Sequence, residues 1–157
     1  MKIIIRLGIL FTGLGYILMA FLSVLNWIST AFSVNIGYIP LLDYVSNDLG
    51  YALSTFTIGM LFIYGGWKGP SDVKGLSTIL VGGILATALF FLQLLIVGAG
   101  IADVFILAVA GEEAGEYDIL RSLLQGSILL GLPALGLLAY SITVFKKMNR
   151  KDTGYGD

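Results

Sequence analysis

Four long apolar runs dominate the chain, and all but three of the charged residues (Arg6, Asp103 and Arg121) fall outside them. The first run covers residues 3–28, the second 49–67 and the third 75–98, with an apolar continuation to 110. The fourth covers 119–145. A helix needs about 20 apolar residues to cross the hydrocarbon core of a bilayer. The pattern therefore predicts an all-α fold, a single domain of four transmembrane helices.

The first run is interrupted only by Arg6 and by uncharged polar residues. It exceeds the roughly 7–15 apolar residues of a signal peptide, so it reads as a retained anchor. Between the first two runs lies a sticky, mostly uncharged segment, in which a short interfacial helix is expected after Pro40. Gly65 and Gly66 are read as ending the second span, and the tight turn Lys68-Gly69-Pro70-Ser71-Asp72 follows. A single helix over 75–110 would outreach the ~30 Å core, so the third span either projects from the membrane or bends at Gly98-Ala99-Gly100. A continuous or slightly kinked helix is favoured, with Asp103 at the outer interface. Asp118 is placed to cap the fourth span, and Pro133 lies within it. Residues 146–157 read as a polar, disordered tail.

Charge sets the orientation. Lys2 and Arg6, then Lys68 and Lys74, then Lys146, Lys147, Arg150 and Lys151 occupy alternate gaps. Those segments carry eight bases against three acids, and the others seven acids against one base, Arg121. Lys and Arg are retained on the cytoplasmic side, which predicts a multi-pass protein of the plasma membrane with both termini cytoplasmic. Composition agrees, because 57% of the residues are hydrophobic and only 12% are charged. A soluble domain of 157 residues could not bury so much apolar surface.

Cysteine and histidine are both absent. Disulfides, thiolate nucleophiles, His/Cys zinc sites and His-ligated haem are thereby excluded for this chain. No Walker loop, G-x-S-x-G, HExxH or mid-membrane carboxylate pair occurs. Gly13-Leu14-Gly15 is not a nucleotide loop, since no third glycine follows at the required spacing. No catalytic site, cofactor site or metal site is expected, and no nucleic-acid surface. The proteolipid rotor subunits of rotary ATPases share this length and glycine content, but they need a carboxylate in mid-span, and this chain has none there.

Three sets of residues remain as candidates. Thr78, Gly82 and Ala86 recur at spacing four, with Gly83 and Thr87 beside them. Small residues so spaced let helix backbones approach closely in lipid. They serve either packing within the bundle or a face reserved for another subunit or another copy. Gln93 and Gln125 should lie at similar depths, bonded to each other or, with Thr87 and Ser127, lining a polar pathway. Asp103, Asp118 and Arg121 could form a charge cluster just outside the membrane, as a local salt bridge or an anchor for a partner. The expected function is that of a non-catalytic membrane protein. It would be an accessory subunit or self-associating scaffold, its partners being the lipid bilayer and other subunits. The alternative is an oligomeric transporter or channel protomer with an uncharged path.

Overall fold

The computed structural model describes residues 2–33, 40–111 and 122–152. Its elements are α1 (Lys2–Phe32), a 3-10 turn (Pro40–Tyr44), α2 (Leu49–Lys68), α3 (Val73–Ala110) and α4 (Gly126–Asp152). Among the described residues there is no strand. All four helices are long and apolar enough to cross a membrane, and the architecture is that of a polytopic membrane protein.

Local chemistry sets the helix ends. Asp48 caps α2, its carboxylate accepting from the Gly50 amide at 3.0 Å. At the other end Gly69 takes φ +90° and donates its N–H to the Gly65 carbonyl at 2.8 Å. That left-handed backbone strains residues bearing a Cβ, and it turns the chain at once into α3. Asp72 then caps α3 through the Lys74 amide at 2.8 Å. Gly65 and Gly66 do not terminate α2; both are buried inside it. Glycine there admits neighbouring helices, as described below.

α3 is one unbroken helix of 38 residues, about 57 Å long at 1.5 Å per residue. The glycines at 98 and 100 do not break it, and Gly111, at φ +76°, closes it. α4 differs from expectation at both ends. Ser122 and Leu123 are helical, the chain departs from helix at Leu124 and Gln125, and α4 starts at Gly126. The Gln125 carbonyl accepts from Ile128 and Leu129, so Gln125 stands at the cap position. At the far end the helix runs through Lys146 and Lys147 to Asp152, because no helix breaker intervenes before Gly154.

The helices pack as a ring, α1 on α2, α2 on α3, α3 on α4, and α4 more lightly on α1. Each adjacent pair is antiparallel. Gly13 meets Ile63, Gly65 meets Ile79, Gly83 meets Leu138, and Gly126 meets Met19. Arg6, Lys68, Lys74 and Lys146 therefore share one end of the bundle, the basic end. The interior is filled by Ile9, Tyr16, Ile58, Phe62, Ile79, Ala86 and Ala134. Smaller clusters surround Leu22, Val45 and Tyr51, and Phe90, Val97 and Ile128, nearer the far end. Outward faces carry Phe11, Phe21, Leu95 and Leu132, all more than half exposed, as suits surfaces solvated by lipid.

Candidate functional site: close helix crossings and a polar cavity

Apolar burial gives little drive for helices to associate in lipid, so closeness of approach must hold the bundle. The tightest α1–α2 contact is reciprocal. A Cβ on Gly13 would lie 3.0 Å from the Gly59 carbonyl oxygen and 3.0 Å from the Ile63 nitrogen. A Cβ on Gly59 would lie 2.9 Å from the Gly13 carbonyl oxygen. Between α2 and α3, a Cβ on Gly65 would stand 3.0 Å from the Gly75 oxygen. Between α3 and α4, Gly131 is overlain by the Phe90 ring.

The face Thr78, Gly82 and Ala86 turns inward. Gly82 and Ala86 are buried, and a Cβ on Gly82 would meet Leu61 and Phe62 of α2 at 3.2–3.5 Å. The Thr78 hydroxyl donates back to the Gly75 and Lys74 carbonyls at 2.9 and 3.2 Å. In the monomer this face is occupied by the chain's own α2.

At the basic end, Arg6 reaches from α1 to the last turn of α2. Its Nε donates to the Gly66 carbonyl at 2.8 Å and its Nη2 to the Trp67 carbonyl at 2.5 Å. The guanidinium thus satisfies carbonyls that the helix end leaves free, where the macrodipole favours a cation.

The far end is held by hydroxyl and amide groups. Ser23 on α1 is fully buried, and its Oγ donates to the Ser46 carbonyl at 2.6 Å and the Asp48 carbonyl at 3.2 Å. Asn26, one turn on, donates from Nδ2 to the Leu42 and Val45 carbonyls at 3.3 and 3.1 Å. These four bonds tie segment 40–48 down across the bundle. Beside it opens a cavity of ≈430 Å³, lined by Asn26, Leu42, Val45, Ser46, Asn47, Gln93, Ile96 and Gln125. Five of those eight residues carry uncharged polar side chains and none is charged. The other grooves, between α1 and α2, α2 and α3, and α1 and α4, are lined mainly by apolar side chains.

The structure therefore brings Gln93 and Gln125 to one cavity. Thr87 is not on its wall; its hydroxyl is buried elsewhere, without a hydrogen-bond partner among the described residues. Of the expected charge cluster, Asp103 is exposed on α3, and Asp118 and Arg121 lie outside the described residues. The Ser127 side chain lies outside them as well. Ser23, Asn26 and the Gly13–Gly59 pair were not singled out by the sequence. The pair Ser23 and Asn26, three residues apart near the end of an apolar run, was the available signal. Compared with protein-family models, curated proteins and solved structures, the chain matches none.

Proposed function

We propose that this chain is a non-catalytic subunit of a plasma-membrane complex, with both termini cytoplasmic, and that the distal length of α3 is its contact element. The observation that carries this reading is where α3 stops being covered. Val97 is its last buried residue, and 13 further residues follow, about 20 Å of helix. Along them Ile101, Phe105 and Val109 recur at spacing four and are 42%, 70% and 73% exposed, with Ile106 beside them at 63%.

Length supports placing this stripe outside the hydrocarbon. Transmembrane helices tilt by up to about 40°, and at that tilt a ~30 Å core takes up roughly 26 residues. The remaining dozen of α3 must then emerge. Asp103 lies among them, and a carboxylate facing mid-bilayer lipid would cost about 2.5–3.5 kcal/mol. An emerged apolar stripe is stable only when covered, and a helix of another subunit fits its spacing.

The test is a double variant, Phe105→Asn with Val109→Asn. In gentle detergent the wild-type chain should run as an assembly larger than its 16.8 kDa mass requires. The variant should run as the monomer with unaltered melting. An assembly of unchanged size in the variant, or a monomeric wild type that recovers no partner from membranes, overturns the reading.

A further inference from the structure

Independently of that reading, we propose that the far-end cavity is a binding site for an uncharged polyhydroxyl headgroup, that of a neutral glycosylated lipid. Gln93 carries the argument. It is only 7% exposed and lines the cavity, and its amide makes no hydrogen bond to the described residues. A carboxamide offers two donors and an acceptor with two lone pairs, and facing the cavity it is open to a ligand that can both donate and accept. Asn47 and Gln125 line the same cavity, each able to donate and to accept. Hydroxyl groups have the same dual character. A phosphate would call for Lys or Arg and an ammonium for a carboxylate, and among the described residues the wall holds neither.

The volume of ≈430 Å³ is within the ordinary range for small-molecule sites. The lipid assignment comes from the neighbouring surface. Leu41 and Tyr44 flank the cavity's Leu42 and Val45 in sequence, and Leu124 and Gly126 flank its Gln125. Those four, with Met19 and Leu129, line an apolar groove of ≈270 Å³ between α1 and α4. One molecule can thus place a sugar in the cavity and an acyl chain in the groove. Both lie at the end of the bundle away from the basic end.

Native mass spectrometry of the full chain tests this in a polyoxyethylene detergent, which carries no sugar to compete. The probes are monoglucosyl diacylglycerol, free glucose and phosphatidylglycerol. One glucolipid per chain is expected, bound at least tenfold more tightly than glucose or phosphatidylglycerol. Gln93→Leu and Gln125→Leu should each weaken it about tenfold, and Leu129→Trp, which fills the groove, should do the same. Should Gln93→Leu fail to fold, the more exposed Gln125→Leu decides. Absence of a glucolipid adduct overturns the proposal, as does binding that Gln125→Leu leaves unchanged. Glucose binding as tight as the glucolipid's, unaffected by Leu129→Trp, overturns the lipid assignment in favour of a free sugar.

Discussion

A single methyl group added at Gly13 should separate α1 from α2. The new carbon would lie 2.9 Å from Ile63 Cγ1, 3.0 Å from the Gly59 oxygen and 3.0 Å from the Ile63 nitrogen. Carbon contacts are optimal near 3.5–4.0 Å, so the helices must part by roughly 0.5–1 Å. Two of the three obstructing atoms are backbone and cannot rotate away. A gap of that size forfeits about a quarter to a half of each contact along the interface. Overpacking of this kind costs about 1–3 kcal/mol. Replacing glycine within a helix returns roughly 0.5–1 kcal/mol. The net loss is about 1–2 kcal/mol, a roughly 5- to 30-fold fall in the folded-to-unfolded ratio. Gly59→Ala should behave alike, since its carbon would lie 2.9 Å from the Gly13 oxygen. The double variant should lose less than the sum, because one separation accommodates both methyls. Gly136→Ala serves as control, having nothing within 4 Å, and should be neutral or slightly stabilised. Reversible unfolding by SDS in mixed micelles, followed by energy transfer between labels on α1 and α2, reads these differences. A Gly13→Ala protein as stable as Gly136→Ala would refute the reasoning.

Two further outcomes follow from the bundle's ends. Arg6→Ala should lower stability by about 1 kcal/mol by freeing the Gly66 and Trp67 carbonyls, and Arg6→Lys should recover only part, since a single ammonium lacks the guanidinium fork; melting of the three proteins checks this. Ser23→Ala should speed hydrogen exchange in segment 40–48 several-fold and leave α3 untouched, because its hydroxyl bonds hold only that segment; equal protection in variant and wild type would show the tether to be without consequence.

Four apolar runs of about bilayer-crossing length or more leave little but four helices, and those were legible in the sequence. So was the continuation of α3, since nothing between Gly98 and Ala110 offers the backbone a better partner than its own helix. Less legible was what each small residue faces. Spacing within one helix places Thr78, Gly82 and Ala86 on a single side, yet it does not say that Leu61 and Phe62 lie opposite. Gly13 and Gly59 belong to different helices, so their pairing is invisible until the crossing is known. Gln93 and Gln125 were matched by depth, which antiparallel packing makes predictable. Thr87 fails to join them because six residues at 100° each turn it well away from Gln93. Arg6 was read only as a topology signal, although the same charge also caps α2. The break at Leu124–Gln125 was hidden, because the apolar residues Ile119, Leu120, Leu123 and Leu124 extend the fourth run across it.

The central claim is that four antiparallel helices cross a bilayer and bring all the basic ends to one face. The chain has no cysteine, so single substitutions at Asn47, Ser71 and Lys147 provide clean reporters for a membrane-impermeant maleimide on intact cells. Asn47→Cys should react at once, and Ser71→Cys and Lys147→Cys only after the membrane is opened. Ser71→Cys and Lys147→Cys reacting from opposite sides, or Asn47→Cys and Ser71→Cys from the same side, would contradict the account.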